Sequence, residues 1–266
     1  MSFTKFRALV WRYYRARGRH TLPWRTTHNP YRILVSEIML QQTQVERVLP
    51  FYAAFIKKFP TVHVLAAAPL SEVLKSWQGL GYNRRASMLH KAAKEIAVRA
   101  VPRTARELET LPGIGPYTAR AIAAFAYNHD VIVVETNIRT AILHHFFPKR
   151  ENVSDTEIER ILTEVLPTGR AREWYSALMD YGAYLKRSGI SHNARSRHYI
   201  KQTKFTGSLR EARGAILREL ARGSATGVRL TGLLGPLRRA QVARALDALC
   251  AEGLIRAQRS RYALAD

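Results

Sequence analysis

The sequence predicts an all-α protein with a small C-terminal module of helices and a hairpin. Three observations support this. Apolar residues recur at helical spacing through most of the first 190 residues, no alternating strand pattern occurs before residue 225, and the order after residue 208 is helix, short element, helix, hairpin. With 266 residues, of which 47% are hydrophobic, the chain can bury a core for two domains or three small ones.

The helical pattern falls into successive stretches separated by short turns containing glycine or proline. These stretches are residues 30–59, 71–81, 84–100, 104–111, 116–128 and 155–166. Residues 191–207 are expected to form a basic linker, and 208–266 the C-terminal module.

Charge and cysteine usage limit the possible functions. The net charge of +23 favours a polyanionic partner, with nucleic acid first and an anionic membrane second. The absence of a membrane-spanning run and of a secretory signal leads us to expect a soluble, cytoplasmic protein, nucleoid-associated if prokaryotic, without a membrane partner. A single cysteine, Cys250, excludes an internal disulfide and a multi-cysteine zinc or iron–sulfur site. We expect a monomer without a metal.

The C-terminal part is basic and ordered like a winged helix. No acidic residue occurs from 181 to 208, and this segment is either a solvated linker or a contact to phosphates. The third helix of a winged helix commonly enters a DNA groove, which makes Arg239, between Arg238 and Arg244, a candidate DNA contact. The alternative is a module used for protein contacts or packing.

The stretch LETLPGIGPYTARAIAAFAY predicts a tight hairpin between two helices. Gly113 and Gly115 allow the turn, and Pro116 stands where a first helical turn accepts proline. The backbone N–H groups of such a loop can hold a DNA phosphate. By itself this hairpin is a sequence-independent DNA-binding element and indicates no enzyme.

Two carboxylates occupy unusual positions. Glu37 lies in the apolar stripe of its helix, and Glu135 ends the run VIVVE just before another helical pattern. Burial would raise the pKa of Glu37 so that it holds a proton near neutral pH, as a general acid must. The helix N-terminus beside Glu135 would favour its ionised form. Taken singly, each acid is more often structural than catalytic.

Five motifs follow one another in a characteristic order: LPWR (22–25), SEIMLQQTQV (36–45), GLGYNRRASMLHKAA (79–93), LPGIGPYTA (111–119) and MDYGA (179–183). In this order and spacing the chain resembles the MutY-type adenine DNA glycosylases of the helix-hairpin-helix superfamily, which also contains endonuclease III and mismatch thymine glycosylases. The resemblance covers about residues 5 to 190. It implies a two-lobed helix-hairpin-helix DNA glycosylase fold, with a six-helix domain at 26–128, a second helical lobe built from 1–25 and 129–190, and the flipped nucleotide in the cleft between the lobes.

The resemblance also implies catalytic roles. Glu37 matches the acid that protonates the adenine ring and later assists water. Glu135 stands at the position of the family's catalytic aspartate, which stabilises the positive charge on deoxyribose. Tyr117 matches a tyrosine near the sugar, where endonuclease III has a Schiff-base lysine, so a monofunctional hydrolytic enzyme is implied.

Further positions are carried over as contacts to DNA. Gln42 matches a residue wedged beside the opposite base, Tyr82 an aromatic that probes the duplex, and Asn137 the family asparagine. The remaining candidate DNA contacts in the matching motifs are Arg85, Gly113, Gly115 and Thr118. The candidate base pocket is Leu22, Trp24 and Arg25, although Trp24 taken alone would more often pack in the core.

The chain departs from the family at several points. Besides the glutamate at 135, His20 and Thr21 replace an acidic residue and an arginine. The four cysteines of the iron–sulfur cluster are missing, so the chain resembles a clusterless branch and no cofactor is expected. A winged-helix-like module replaces the domain that reads 8-oxoguanine.

The leading hypothesis is a glycosylase that removes adenine opposite 8-oxoguanine or guanine from mismatched or damaged double-stranded DNA in base excision repair. Two alternatives stay open: a thymine or uracil mismatch glycosylase, and a DNA-binding protein without catalytic activity.

Overall fold

The computed structural model describes residues 1–190, 192–196 and 204–266. The predicted all-α architecture is confirmed, since the described residues form α-helices and a single small sheet. The helices in chain order are α1 (Phe3–Arg17), α2 (Pro30–Leu40), α3 (Val45–Lys58), α4 (Val62–Ala67), α5 (Leu70–Ser76), α6 (Arg84–Arg99), α7 (Ala105–Leu108), α8 (Pro116–Tyr127), α9 (Thr136–Phe146), α10 (Asp155–Val165), α11 (Ala171–Arg187), α12 (Leu209–Leu220), α13 (Gly227–Gly232) and α14 (Arg239–Ala251). The strands are β1 (Ala225–Thr226), β2 (Ile255–Gln258) and β3 (Arg261–Leu264).

Internal contacts group the chain into two compact units. Unit 1 is Met1–Glu37, Pro102–Thr110 and Ile114–Lys201, and unit 2 is Ile38–Val101, Leu111–Gly113 and Gln202–Asp266. The domain boundaries expected from the sequence remain a prediction. Of the predicted basic linker 191–207, Ser191 and residues 197–203 lie outside the described residues.

Unit 1 is built around α1, α9 and α11. Phe6 of α1 and Trp174 and Tyr175 of α11 are fully buried in one apolar core, and the rings of Phe6 and Trp174 meet edge to face at 6.3 Å. Removing such aromatic side chains from water is among the largest single contributions to a core. The core thereby fixes the relative positions of α1, α8, α9 and α11, which all contribute buried residues to it.

Helix starts in unit 1 follow local sequence rules. Thr104 with Glu107 and Ser154 with Glu157 form reciprocal capping boxes at α7 and α10. Pro116 is the first residue of α8 and Gly115 is its N-cap, as the hairpin motif predicts. The C-terminal end of the hairpin and the start of α8 are therefore set by sequence alone.

The helical periodicity predicted across residues 30–59 is interrupted at Gln42, which lies in unit 2. Helix α2 ends at Leu40 and α3 begins at Val45, because Gln42 takes a left-handed φ of 54°. Arg85 replaces the missing helical hydrogen bonds: its Nη1 donates to the carbonyls of Ile38, Met39 and Gln41 at 2.6–3.0 Å. A cation on the last carbonyls of a helix is a favourable end for it.

The C-terminal module, also in unit 2, has the predicted winged-helix order. Helices α12, α13 and α14 are followed by the β2–β3 hairpin, and the antiparallel sheet has the order β1-β3-β2. Leu217, Leu249 and Leu254 are fully buried and form part of the core of this module.

Candidate active site

Glu37 is a buried acid near the end of α2. Only 7% of the residue is exposed. Burial, and then the nearby negative charge of Glu135, raise its pKa to about 7, while a hydrogen bond from Tyr117 and the charge of Arg25 act in the opposite direction. The sequence-based expectation of a carboxyl that holds a proton near neutral pH agrees with this environment.

Tyr117, the second residue of α8, joins this acid. Its hydroxyl forms a hydrogen bond with the Glu37 carboxyl, and burial of the hydroxyl together with the two nearby carboxylates raises the tyrosine pKa well above its usual value. The residue as a whole is 36% exposed. Tyr117 therefore stays protonated and can donate to Glu37.

Glu135, which follows four apolar residues, is bound at the start of a helix. It is the N-cap of α9, and its Oε1 accepts hydrogen bonds from the backbone N–H groups of Asn137 at 2.7 Å and Ile138 at 2.9 Å. Burial, the larger effect, raises its pKa, while the two N–H donors and the charges of Lys186 and Arg139 lower it. The expected stabilising effect of the helix N-terminus is present, and burial outweighs it.

A chain of polar contacts extends from Glu135. The Asn137 side chain lies 3.4 Å from Glu135 Oε2 through Nδ2, and its Oδ1 accepts from Lys186 Nζ at 3.2 Å. From the sequence, Lys186 was only one of the cations in the segment 181–208, which has no acidic residue. Its position four residues after Gly182 on α11 was the available signal, because that spacing places both residues on one helix face.

Gly182 of the MDYGA motif allows α11 to approach α9. An added Cβ at this position would lie 2.0 Å from the carbonyl oxygen of Asn137. The contact is to backbone and cannot be relieved by a side-chain rotation. The glycine therefore sets the distance at which Asn137 and Lys186 meet.

Sequence reasoning predicted no role for Asp180 of the same motif. The structure places its carboxylate at the centre of a buried ion cluster. Its carboxylate accepts from both Arg25 Nη atoms at 2.5 and 3.0 Å and from Arg19 Nε at 2.6 Å. Burial alone would raise its pKa, but the hydrogen bonds and charges of the two arginines hold it below its usual value. Arg25 of LPWR is held by the ion pair with Asp180, and Leu22 and Trp24 of the same motif are buried. A contact of these three residues with a base stays a prediction.

Unit 2 carries the predicted duplex-probing residues. Gln42 and Tyr82 both have left-handed φ values, 54° and 49°. Such a conformation costs a non-glycine residue about 1–2 kcal/mol. Gly113 also has a positive φ, 76°, and an added Cβ would meet Met88 Cβ at 2.4 Å. Arg85 is committed to the carbonyls that end α2, and a direct DNA contact by it stays a prediction.

The remaining candidates are placed as follows. Gly115 starts α8, and Thr118 is buried in the first turn of that helix. Arg239 is exposed at the first position of α14. Across the described ranges there is no cluster of three metal-ligating side chains. Within the same ranges, no helix has the length and apolar character needed to cross a bilayer.

Comparison with known proteins agrees with this geometry. Residues 35–168 match the model of the HhH-GPD superfamily of base excision DNA repair proteins. The chain is 39% identical over 274 aligned positions to an adenine DNA glycosylase of Mycolicibacterium smegmatis, covering 93% of this chain and 92% of that protein. It is 36% identical to an adenine DNA glycosylase of Buchnera aphidicola subsp. Baizongia pistaciae, in an alignment that covers 70% of this chain and 54% of that protein. The chain thus spans about half the length of some relatives and nearly all of another.

Solved structures with a similar fold were also found. A thermostable thymine-DNA glycosylase is 28% identical with a TM-score of 0.60, covering 68% of this chain and 86% of that one. An endonuclease III captured as a covalent intermediate with DNA shares the fold at 22% identity, with a TM-score of 0.57 over 71% of this chain and 87% of that one. With a family model over half of its length and a close relative along nearly all of it, the chain belongs to the HhH-GPD superfamily of base excision DNA repair proteins.

Proposed function

We propose that this chain is a monofunctional adenine DNA glycosylase that hydrolyses the N-glycosidic bond of adenine mispaired with 8-oxoguanine or guanine in double-stranded DNA. The observation that carries the proposal is the pair of buried carboxyls, Glu37 and Glu135, with the Tyr117 hydroxyl bound to the first. The similarity to adenine DNA glycosylases of two bacteria supports adenine as the base.

We assign the two carboxyls different work because their surroundings differ. Burial and the nearby charge of Glu135 raise the pKa of Glu37 to about 7, so Glu37 can hold a proton near neutral pH, whereas two backbone N–H donors and the charges of Lys186 and Arg139 favour the ionised form of Glu135. Protonated Glu37 donates to a ring nitrogen of the flipped adenine, which turns a poor anionic leaving group into a neutral one.

Glu135 stabilises the cation that this step creates. Breaking the bond leaves positive charge on deoxyribose, and a carboxylate in a poorly solvated site stabilises that charge more strongly than water does. Glu37, now ionised, accepts a proton from the water that attacks the anomeric carbon. The products are free adenine and an abasic site.

The active-site tyrosine limits the reaction to hydrolysis. A Schiff base to the sugar needs an amine nucleophile, and Tyr117 carries a phenol that stays protonated, so no Schiff base forms at position 117. We accordingly propose that the DNA strand stays intact until alkali cleaves the abasic site. We also propose that the enzyme acts as a cytoplasmic monomer. We propose a reaction without a metal or iron–sulfur cofactor, because the carboxyls and water supply the chemistry.

A second candidate within the same chemistry is removal of thymine or uracil from mismatches with guanine. The similarity to a thermostable thymine-DNA glycosylase, at 28% identity, is the observation that favours it. The same acid and tyrosine would serve, and only the base in the pocket would differ.

Base release from a panel of labelled duplexes tests the proposal. Adenine opposite 8-oxoguanine or guanine, and thymine or uracil opposite guanine, are incubated with the protein and then treated with alkali. We expect cleavage at adenine only, only after alkali, and lost in Glu37→Gln but kept in Glu46→Gln, whose glutamate is exposed on α3. Release of thymine or uracil alone would overturn the choice of base. Tight binding of the duplexes without release of any base would indicate a DNA-binding protein.

A further inference from the structure

Lys186 is a half-buried cation near Glu135 that takes no chemical step in the proposed reaction. Its Nζ donates to the side-chain oxygen Oδ1 of Asn137 at 3.2 Å, and it forms no ion pair with any residue that the structure describes. Gly182, one turn earlier on α11, lets that helix contact α9 at the Asn137 backbone. All four residues belong to unit 1. Lys186 thus brings a positive charge without a carboxylate partner to the start of α9.

The Asn137 amide joins this cation to the Glu135 carboxylate. A lysine ammonium can only donate hydrogen bonds and an ionised carboxylate can only accept them, whereas an amide does both. With Oδ1 turned to Lys186, the amide nitrogen Nδ2 faces Glu135 Oε2 at 3.4 Å. A half-turn of the amide would set its oxygen against the carboxylate, a repulsion that protonation of Glu135 would relieve. Lys186 therefore selects the amide orientation that suits an ionised Glu135.

Lys186 also differs from the other cation near Glu135 in having no acid bound to it. Burial raises the pKa of the Glu135 carboxyl, while two backbone N–H groups, and then the charges of Lys186 and Arg139, lower it. Arg139 is held by the Asp155 carboxylate through three hydrogen bonds of 2.9–3.2 Å, so its charge is largely compensated. Two further titratable groups interact electrostatically with Glu135 and supply no positive charge: Glu37 of α2 and Tyr117 of α8.

We propose that Lys186 is a positioning residue for the glycosylase reaction, which keeps Glu135 ionised by its charge and by fixing the Asn137 amide. Glu135 is then negative when the sugar cation develops, at pH values where burial alone would leave it protonated. Lys186 acts through Asn137 and touches neither the base nor the sugar. The inference rests on the proposed function, because it takes Glu135 as the group that stabilises the cation.

Substitutions at two neighbouring positions separate the charge of Lys186 from its bulk. Lys186→Met keeps the length of the side chain and removes the charge and the donors, and Lys186→Gln is a second neutral variant with a polar end. Lys186→Arg keeps both charge and donors. The matched control is Arg187→Met, because Arg187 is the next residue of α11, is exposed, and carries the same charge. Circular dichroism and thermal melting verify that each variant is folded.

The first measurement is single-turnover release of adenine opposite 8-oxoguanine across the range from about pH 5 to about pH 9. The rate should rise on the acidic side as Glu135 ionises, and fall on the alkaline side as Glu37 loses its proton. We expect both neutral variants to move the acidic limb by about one pH unit to higher pH, which lowers the rate there about tenfold. The alkaline limb and the affinity for the duplex should stay as in wild type. Lys186→Arg and Arg187→Met should keep the wild-type profile.

Four results would overturn the inference. A rate lowered equally at every pH would make Lys186 a structural residue. An acidic limb moved as far by Arg187→Met would reduce the effect to general charge. Weaker binding of the duplex with an unchanged rate would make Lys186 a DNA contact, and an unchanged profile in both neutral variants would exclude any role in the reaction.

The second measurement needs no substrate. Glutamate isotope-labelled at the side-chain carboxyl carbon is incorporated into the protein, and the Glu135 resonance is assigned by its loss in Glu135→Gln. We expect its titration midpoint to move to higher pH in Lys186→Met and to stay in place in Lys186→Arg and Arg187→Met. A midpoint that does not move in Lys186→Met would overturn the inference even where the rate falls. A midpoint that moves as expected, in a protein whose wild type releases no base, would refute the proposed function alone.

Discussion

Replacing Glu37 by glutamine tests the central feature of the candidate site in both stability and rate. Glutamine has nearly the same shape, keeps a group that can accept from the Tyr117 hydroxyl, and removes the titrating proton. Because the residue is only 7% exposed, its ionisation in the folded state is opposed mainly by burial. The variant therefore isolates the cost of that ionisation.

The magnitude follows from the pKa shift. A carboxyl whose pKa rises from 4.5 to about 7 on folding destabilises the folded protein once it ionises there. At about 1.4 kcal/mol per unit, the full penalty is about 3 kcal/mol. Its sign is fixed: between pH 4.5 and about 7 the folded protein binds more protons than the unfolded chain, so this group lowers the free energy of unfolding as pH rises through that window.

The assay is urea unfolding of wild type and Glu37→Gln at about pH 4.5 and about pH 8. The change from carboxyl to amide affects both pH values alike, so the difference between the two ΔΔG values reports the titration alone. We expect the variant to gain about 3 kcal/mol relative to wild type on going to the higher pH. Exposed Glu46→Gln is the control and should show a difference near zero.

The rate of adenine release is the second measurement of the test. Wild-type single-turnover release of adenine should fall as pH rises through about 7, because the acid loses its proton, and Glu37→Gln should be inactive at every pH. A ΔΔG that does not change with pH would refute the buried, proton-holding acid. A variant that releases adenine at the wild-type rate would refute its role as the acid.

Other substitutions give equally direct outcomes. Tyr117→Phe removes a hydrogen bond that lowers the pKa of Glu37, so the alkaline limb of the rate profile should move to higher pH, as single-turnover rates across pH will show. Gly182→Ala should lower the free energy of unfolding by about 1–3 kcal/mol, because the new Cβ meets the Asn137 carbonyl, although helix propensity alone favours alanine. Gly214→Ala, in open space inside α12, is its control and should stabilise by about 0.5–1 kcal/mol; a loss in both variants would contradict the steric explanation.

Features set by neighbouring residues could be predicted from the sequence. Pro116 after Gly115 indicated the start of α8, and the apolar stripe of α2 indicated the helix face on which Glu37 lies, although an acid there is more often half-exposed or salt-bridged than buried. The order of elements after residue 208 indicated a winged helix. Each of these depends on spacing within one element, which periodicity and capping rules describe well.

Features that depend on distant residues could not be predicted in this way. Arg25 and Asp180 are 155 positions apart, and the contact between Lys186 and Asn137 spans 49 positions. Helical periodicity also continued through Gln42, where a left-handed φ ends the pattern. That break is stabilised by Arg85 from another helix, and so it is invisible to any reading of residues 30–59 alone.

The glutamate at position 135 stands where the resembling family has aspartate, and its longer side chain is anchored by the helix that it caps. Oε1 accepts from two backbone N–H groups at the start of α9, while the hydrogen bond to Oε2 among the described residues is the long one from the Asn137 amide at 3.4 Å. These two capping bonds anchor the carboxylate at the start of α9. The proposed mechanism needs one anchored carboxylate with lone pairs available to a developing cation, and anchoring through Oε1 leaves the lone pairs of Oε2 for that role.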